Sequence, residues 1–226
     1  MDVGCNRGYY ISQYRNGTSI GIDIAFSVLN QARKRLPKTN LIQADAQNLA
    51  FLKSNSIDSI LCSEVIEHVT APHRVISECF RVLKPGGRIL LTTPNYKRNK
   101  PTWIEVGNMK SYGVKGVDGD CYFHTAFRPE ELQAMALDAG FEVLKAGTFE
   151  KEVKYATRIP VLFYHPMRIL NERLTGSKKI AQLNNRMLER VSLFIFKLSN
   201  LIGINNMLKM LVREGVRTYL FARKKV

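Results

Sequence analysis

The segment Asp2-Val3-Gly4-Cys5-Asn6-Arg7-Gly8-Tyr9-Tyr10 has the pattern of a buried strand that ends in a glycine turn. When such a turn leads into a helix, the backbone can approach a ligand closely and direct free amide groups at it. Since Met1 leaves no residues for the first part of this strand, we expect a chain that is N-terminally truncated or whose start was assigned late. By itself the turn is compatible with several nucleotide ligands, including a dinucleotide.

From this turn to residue 150, short apolar runs alternate with helical patterns. This alternation is typical of βαβ units and of a largely parallel sheet. The predicted strands are Ser19–Ile24, Asn40–Gln43, Ile57–Cys62, Arg88–Thr93 and Phe141–Ala146, and the predicted helices are Ala25–Arg35, Pro72–Leu83 and Pro129–Gly140. Lys84–Gly87 is predicted to end the second helix and to turn the chain into the next strand. The fold class that we predict is therefore α/β, with a doubly wound, mostly parallel sheet.

Two acidic residues follow successive predicted strands. Asp23 closes the first, 15 residues after Gly8, where a carboxylate can accept two hydrogen bonds from a ribose diol. Asp45 follows the next strand, in a position to accept from the exocyclic amino group of adenine. The turn and the two carboxylates together outline a nucleoside pocket.

Residues 95–128 interrupt the alternation, because they are polar and basic at first and carry scattered glycines. We predict an irregular loop region here, at the carboxyl ends of the strands, where α/β proteins bind their substrates. Tyr96 and Trp103 are candidates for the lining of an acceptor pocket, and ordinary loop packing is the alternative for both.

The residues above resemble class I S-adenosylmethionine-dependent methyltransferases of the type 11 family, which includes the ubiquinone and menaquinone biosynthesis enzymes. The match continues through Ser56–Val69 (SIDSILCSEVIEHV) and Arg81–Arg88 (RVLKPGGR), and covers roughly residues 1–150 plus the last strand. It implies a seven-stranded Rossmann-like sheet with an antiparallel last strand, and S-adenosyl-L-methionine as the cofactor. The family usually has Gly where this chain has Asn6, but asparagine tolerates a positive φ better than other side chains.

The resemblance also implies the cofactor-binding residues, which are Asp2, Gly4, Cys5, Asn6, Gly8, Asp23, Ile24, Asp45, Ala46, Ser63 and Glu64. The glycine turn would bend around the methionine part of the cofactor, and Asp2 would hold either the turn or the amino group. Asp23 would bind the ribose and Asp45, with Ala46, the adenine. Ser63–Glu64 would lie below the methyl sulfonium.

Two histidines are candidates for a catalytic role. Methyl transfer from a sulfonium is an in-line displacement that needs proximity, alignment and sometimes a base. His68 and His124 qualify because imidazoles titrate near neutral pH. For His68 we favour a helix cap or another structural role over a catalytic one. For His124 we leave open whether it faces the substrate.

The C-terminal third of the chain is strongly basic. Residues 151–226 carry 16 Lys and Arg against 4 Asp and Glu, whereas residues 1–150 carry 18 against 15, and together they give the net charge of +15. Residues 150–214 have helical apolar patterning, and Arg217–Arg223 has the pattern of a final strand. We predict a core at 1–149, a basic helical insertion at 150–215 and a final core strand at 216–226.

The basic insertion has two main interpretations. It is either a cap with a solvated basic face or a surface that lies against anionic lipid headgroups. No run of about eighteen apolar residues is present, so we expect no membrane-spanning helix. RNA binding fits the charge, but the chain has no recognisable RNA-binding module.

We therefore predict a methyltransferase whose acceptor is a small molecule, a lipid or a lipid-linked sugar. An RNA methyltransferase and a non-catalytic, cofactor-binding scaffold are the alternatives. The cysteines Cys5, Cys62, Cys79 and Cys121 form no CxxC pair, so we expect neither a metal site nor a disulfide framework. With no secretory signal visible, we expect a cytoplasmic protein with possible contact to a membrane surface.

Overall fold

The computed structural model describes residues 1–14, 17–95, 102–105, 121–151 and 153–226. These residues form two compact units. One unit contains the described residues up to Gly147 together with Arg217–Val226, and the other contains those of Thr148–Val216.

The secondary structure of the described residues begins with the glycine turn and ends with a strand. The strands are β1 (Asp2–Val3), β2 (Ile20–Asp23), β3 (Asn40–Gln43), β4 (Ile57–Ser63), β5 (Leu83–Pro94), β6 (Thr102–Glu105), β7 (Cys121–His124), β8 (Phe141–Phe149) and β9 (Arg217–Lys224). The helices are α1 (Phe26–Arg35), α2 (Pro72–Val82), α3 (Pro129–Asp138), α4 (Val153–Leu174), α5 (Lys178–Leu201) and α6 (Ile204–Leu211). Short 3-10 turns occupy Ile11–Gln13 and Ile66–His68.

Seven of these strands form one sheet in the order β3-β2-β1-β4-β5-β9-β8. Neighbours from β3 to β5 run parallel, whereas β9 runs antiparallel to β5. The predicted fold class, a doubly wound and mostly parallel α/β sheet whose last strand is antiparallel, is thus confirmed. The last strand lies between β5 and β8 rather than at an edge of the sheet.

The strand before the glycine turn is short but central. Asp2 pairs with Gly21 of β2 on one side and with Leu61 of β4 on the other, and Val3 is flanked in the same way. Both residues are buried. The turn that follows β1 therefore emerges at the middle of the sheet.

Helix α2 covers the sheet with one apolar face. Pro72 lies in its first turn, where a proline costs no hydrogen bond. Val75, Ile76, Cys79 and Val82 are buried in the main core cluster. Their spacing of three and four residues places them on one face of the helix.

The sequence prediction for the start of β5 was wrong by five residues. Lys84–Gly87 was predicted as a turn that precedes the strand, but β5 begins at Leu83, which pairs with Ile57. The next pair joins Arg88 to Ser59, so the four residues between bulge out of the ladder. A bulge of this kind accommodates the glycines and the proline while the strand continues.

The prediction that residues 95–128 are irregular was also wrong in part. Thr102–Glu105 (β6) and Cys121–His124 (β7) form an antiparallel two-stranded sheet, in which Thr102 pairs with His124. Both segments are rich in β-branched and aromatic residues, which favour strands. Residues 96–101 and 106–120, and hence the predicted pocket residue Tyr96, lie outside the described residues, as does the side chain of Trp103.

The unit formed by Thr148–Val216 contains the helices α4, α5 and α6. Helix α4 packs against α5, and α5 packs against α6. The predicted helical patterning of this segment is confirmed. The link between α4 and α5 is fixed by Asn171, whose Nδ2 donates to the Ser177 carbonyl at 3.2 Å, and by Ser177, whose Oγ accepts from the Ile180 amide at 3.4 Å. Among the described residues, no helix is long and apolar enough to cross a membrane.

Candidate functional site

The predicted cofactor residues follow the carboxyl ends of four neighbouring parallel strands. Val3 is in register with Ile22 of β2 and with Cys62 of β4. Asp23 is in register with Gln43 of β3. From β1 the chain proceeds to β2 and β3 on one side, and returns to β4 and β5 on the other. This reversal of strand order opens a crevice, where doubly wound proteins bind their ligands.

The glycine turn after β1 is held by backbone hydrogen bonds. The amides of Gly4 and Cys5 both donate to the Ile22 carbonyl, at 2.7 and 2.9 Å. Gly4 and Gly8 have φ values of 73° and 76°, and Asn6 has a φ of 48°. Asn6 thus takes the left-handed conformation for which the family usually has Gly. A Cβ on Gly4 would collide with the side chain of Val65, so this position requires glycine for reasons of space as well as conformation.

The first acidic residue, Asp23, is tied to this turn. Its Oδ2 accepts from the Asn6 amide at 2.8 Å, and its Oδ1 accepts from the Ala25 amide at 2.9 Å. A carboxylate has about four lone-pair positions, so it can accept further hydrogen bonds. Asp23 is only partly buried, and the neighbouring Ile24 is 65% exposed.

The second acidic residue, Asp45, lies close to the first along the same edge of the sheet. The Ala44 amide donates to the Asp23 carbonyl at 3.0 Å, which joins the two segments. Asp45 Oδ1 accepts from the Gln47 amide at 2.8 Å. Ala46 beside it is buried. The structure therefore brings together the turn and both carboxylates, as the sequence predicted.

Asp2 contributes a buried carboxylate beneath the turn. Burial raises its pKa to about 6, although the Ile11 amide that donates to this carboxylate has the opposite effect. Its Oδ2 is buried and has no hydrogen-bond partner among the described residues. A buried acceptor without a donor is costly, so a cationic or hydrogen-bonding ligand group would be stabilised there.

Ser63 and Glu64 end β4 in a hydrogen-bond chain with β5. Ser63 Oγ lies 2.8 Å from Thr92 Oγ1, which in turn donates to Glu64 Oε1 at 3.2 Å. Arg217 Nε lies 3.7 Å from the other carboxylate oxygen of Glu64. Glu64 has a φ of 56°, which is unusual for a residue with a side chain. Strain of this kind is concentrated at functional sites.

A buried acid lies next to these hydrogen-bonded residues of β4 and β5, and the sequence pattern did not single it out. Glu67 is 1% exposed, and burial, followed by the nearby charge of Glu64, raises its pKa to about 8. Its Oε2 accepts from Thr93 Oγ1 at 3.2 Å. The available signal was a glutamate inside the apolar run Val65-Ile66-Glu67, but a sequence alone does not show which way that side chain points.

His68 contacts Glu67, with 3.4 Å between Nε2 and Oε1. Burial lowers the pKa of His68 to about 4. At neutral pH both groups are therefore uncharged, and the contact joins a carboxylic acid to a neutral imidazole. Because Nδ1 lies 3.3 Å from the Phe123 carbonyl, which can only accept, Nδ1 is the nitrogen that carries the proton.

His124 lies beside His68, with 5.4 Å between the ring centroids. Burial lowers its pKa as well. The Thr125 amide donates to the Glu67 carbonyl at 2.9 Å, which fixes the end of β7 against the turn at Ile66–His68. The two predicted histidines are therefore neighbours, and this cluster adjoins the end of β4.

Comparison with known proteins places these features in a family. A family model described as "Methyltransferase domain" matches residues 1–91. A ubiquinone biosynthesis O-methyltransferase of Pseudomonas fluorescens is 32% identical over 173 residues, which cover 71% of this chain and 74% of that protein. A protein of the same name from Psychrobacter arcticus is 31% identical over 150 residues, which cover 62% of this chain and 58% of that protein. The chain thus spans less than two thirds of the length of several of these curated relatives.

Solved structures share the fold at low sequence identity. A crystal structure of an S-adenosylmethionine-dependent methyltransferase from Mesorhizobium loti matches with a TM-score of 0.57 and 15% identity, over 98% of this chain and 89% of that one. The [4+2]-cyclase SpnF matches with a TM-score of 0.61 and 18% identity, over 100% of this chain and 74% of that one. At these identities the likeness concerns the fold alone.

Proposed function

Since the chain belongs to the class I S-adenosylmethionine-dependent methyltransferases, we propose that it transfers a methyl group from S-adenosyl-L-methionine to a small-molecule or lipid acceptor. The observation that carries this proposal is the meeting of the glycine turn, Asp23 and Asp45 at the crevice where the strand order reverses. Ubiquinone biosynthesis O-methyltransferases are among its relatives, which favours a small organic acceptor.

The residues present fit the cofactor. In this proposal the backbone of Gly4, Cys5, Asn6 and Gly8 lies against the methionine part, and the buried Asp2 Oδ2 faces the amino group. A cation there would supply the missing hydrogen-bond donor and favour the charged carboxylate. A side chain at Gly4 would collide with Val65 and one at Gly8 with Leu36, so the turn keeps this conformation only with glycine at both positions.

The nucleoside part is assigned to the next two strands. Asp23 accepts from the ribose hydroxyls with lone pairs that its two backbone donors leave available. The exposed Ile24 and the buried Ala46 provide apolar contact for the adenine, and Asp45 accepts from its amino group. Ser63 and Glu64 would hold the sulfonium end of the cofactor, where the negative charge of Glu64 would favour a cation.

The cofactor supplies a methyl group on a sulfonium, which is already activated for displacement. The chain has to hold the acceptor in line and remove its proton where needed. We assign His124 to the acceptor side as the candidate base. We assign His68 a positioning role, because its two nitrogens contact the Phe123 carbonyl and Glu67 and its pKa of about 4 makes it a weak base.

We further propose a cytoplasmic enzyme that contacts anionic membranes through residues 150–215. This basic segment would give access to a lipid or lipid-linked acceptor. This proposal keeps the domain division predicted from the sequence. The core is at 1–149, the insertion that contacts the membrane is at 150–215, and the final strand of the core is at 216–226.

A second candidate is a protein with this fold that catalyses no methyl transfer. This alternative is a non-catalytic, cofactor-binding scaffold protein, because one fold can serve several functions. RNA as the acceptor is the third possibility, and it rests on charge alone.

Calorimetry with the methyl donor and with its demethylated product tests the proposal. We expect both to bind, with the product at least as tight as the donor, and Asp23→Ala to weaken both by about tenfold to a hundredfold because charged hydrogen bonds to the ribose are lost. Asp138→Ala, at the end of α3, is the control. Affinity that is unchanged in Asp23→Ala would refute the site assignment.

Transfer of a labelled methyl group then separates the candidates. Label that enters the organic-solvent phase of a small-molecule and lipid extract supports the proposal. Label in cellular RNA supports the RNA alternative, and binding of the donor without label in either fraction supports the non-methylating one.

A further inference from the structure

Helix α5 has an inner face that is packed within its own unit. The residues of this face are all buried or half-buried and recur every three or four positions: Ala181, Asn184, Leu188, Val191, Ile195 and Ser199. Helix α4 packs against α5. The inner face is thus the part of α5 that is enclosed within its unit.

The same helix has a second apolar stripe, which lies on the flank beside this face and is exposed to solvent. Its members are 41–83% exposed: Ile180, Leu183, Met187, Phe194, Leu198 and Leu201. Their spacings of three, four and seven residues confine them to an arc of about 60° around the helix. An outward face that only meets water is expected to be polar, so an apolar stripe six turns long indicates a surface that binds something apolar.

A basic row runs beside this stripe. Lys179, Arg186, Arg190 and Lys197 are all exposed and recur every seven or four residues. This spacing confines them to an arc of about 40°, directly next to the apolar stripe. Within Lys178–Leu201 the sequence has five basic residues and one acidic residue. The helix thus presents apolar and positively charged rows side by side along its whole length.

Further apolar side chains of the same unit are exposed on the neighbouring helices. They include Leu162, Leu170 and Leu174 on α4, and Met207 and Met210 on α6. Most of the large apolar side chains that are exposed among the described residues belong to this unit. The stripe on α5 is therefore part of a unit whose surface is apolar and basic at once.

We propose that the outer stripe of α5 inserts shallowly into an anionic lipid surface, with the basic row at the level of the lipid phosphates. The argument is charge complementarity: a helix with apolar and Lys/Arg rows side by side matches the boundary between acyl chains and anionic headgroups. RNA would satisfy the basic row but not the apolar stripe. This inference rests on the membrane contact in the proposed function and assigns that contact to one helix face.

Co-sedimentation with vesicles tests the proposal in the absence of methyl donor. We expect the full chain to bind vesicles of phosphatidylcholine and phosphatidylglycerol, and to bind pure phosphatidylcholine much more weakly. The double variant Leu183→Ser and Phe194→Ser should lose at least about tenfold in partitioning, because two inserted apolar side chains are removed. The matched control is Leu137→Ser with Phe51→Ser, in the other unit, where the side chains are 59% and 50% exposed against 57% and 66%.

The basic row is tested separately. Arg190→Gln with Lys197→Gln should weaken binding to the anionic vesicles by about thirtyfold, since each charge near such a surface contributes about 1 kcal/mol. Lys53→Gln with Lys145→Gln, two exposed lysines outside the insertion, should have little effect. Binding that is equal for both charge variants, or independent of salt, would overturn the proposal.

Insertion depth gives an independent readout. Trp103 is the only tryptophan, so a Trp103→Phe background allows a single tryptophan to be placed at Leu198. We expect its fluorescence to be quenched by lipids brominated on their acyl chains, and a tryptophan at Leu137 to be unaffected. Equal quenching at both positions, or at neither, would contradict the proposal.

A second copy of the chain is the alternative occupant of the stripe. In that case the protein would be a dimer without lipid, Leu183→Ser with Phe194→Ser would make it monomeric, and vesicle binding would be unchanged; this outcome overturns the proposal. A chain that binds vesicles but transfers no methyl group would instead refute only the proposed function. Methyl transfer to a detergent-dispersed acceptor without vesicle binding would refute only this inference.

Discussion

Glu67 is the residue whose charge state depends most on the fold. Its carboxyl is enclosed by the core, receives a hydrogen bond from Thr93 and contacts the neutral His68. Burial raises its pKa from 4.5 to about 8, so the folded chain holds a proton that the unfolded chain releases. Between these two pH values, the folded state binds one proton more than the unfolded state. The free energy of unfolding therefore falls as the pH rises.

In the window from pH 6.5 to pH 8 Glu67 contributes this falling slope, while the buried Met1 amino group, whose pKa burial lowers from 8.0, contributes a rising one. His68, with a pKa lowered from 6.5 to about 4, contributes the opposite slope only below pH 6.5. We expect Glu67 to contribute a loss of up to about 2 kcal/mol of stability across the window, at about 1.4 kcal/mol per pH unit. Glu67→Gln should remove this contribution, since the amide does not titrate and its oxygen can still accept from Thr93. Urea unfolding at fixed pH measures it.

A matched control shows whether the loss of any carboxyl group changes the pH dependence of stability. Glu130→Gln changes an exposed carboxyl on α3 and should leave the pH dependence as it is in the unmodified chain. The difference between the chain and each variant removes the contribution of all other groups. The same decline in Glu67→Gln as in the unmodified chain would contradict the role assigned to Glu67.

The location of a site residue was predictable from the sequence where the residue stands at the end of a predicted strand. Asp23 and Asp45 follow strands whose pattern is clear, and parallel strands bring their carboxyl ends to one edge. Glu67 was not predictable in this way, because its burial depends on Thr93 and on the Phe123–Thr125 segment, which are distant in sequence. The neutral state of His68 follows from the same packing.

The glycine turn is the element on which the cofactor site depends, and Gly4 is its most constrained position. With a φ of 73° and Val65 in the space that a Cβ would occupy, Gly4→Ala combines a conformational cost with a steric one. These costs are about 1–2 and 1–3 kcal/mol. We expect a loss of about 2–5 kcal/mol in the free energy of unfolding, measured by urea, and weaker binding of the methyl donor.

Gly86 provides the control for this prediction. It has a φ of 78°, but an added Cβ would meet only Val226, at 3.9 Å. Gly86→Ala should therefore show the conformational cost alone. Val65→Ala in the Gly4→Ala background should restore part of the loss by making room. If Gly4→Ala and Gly86→Ala were equally destabilising, the steric part of the argument would be wrong.

Element boundaries were predictable where one periodicity dominates. Helix α2 and strands β2 to β4 have clear patterns, and their observed bounds lie within one residue of the predicted ones. The bulge at Lys84–Gly87 was predicted as a turn, because proline and glycines mark turns and bulges alike. The pairing of β6 with β7 was not predicted, because the polar and glycine-rich residues around these short segments gave no strand period.

At the scale of the whole molecule, the charge excess was visible in the sequence but its arrangement was not. Counting places most of the net charge in residues 151–226. The exposed fractions of the side chains distinguish the enclosed apolar face of α5 from its exposed apolar stripe. Sequence periodicity does not distinguish them, because the residues of both recur every three or four positions. A wide apolar pattern in a helix therefore leaves open whether one face or two are present.

The two compact units lead to a prediction about where a ligand stabilises the chain. A ligand that binds only the folded state adds RT ln(1 + [L]/Kd) to the stability of what it binds, about 2.7 kcal/mol at a hundredfold excess over Kd. The turn, Asp23 and Asp45 all belong to the unit that contains β9, whereas α5 belongs to the other.

We expect the demethylated product to slow hydrogen exchange in β2, β4 and β9 by up to about a hundredfold, and to leave exchange in α5 nearly unchanged. Asp23→Ala at the same ligand concentration is the control and should show less slowing. Equal slowing in α5 and β9 would show that the two units unfold together.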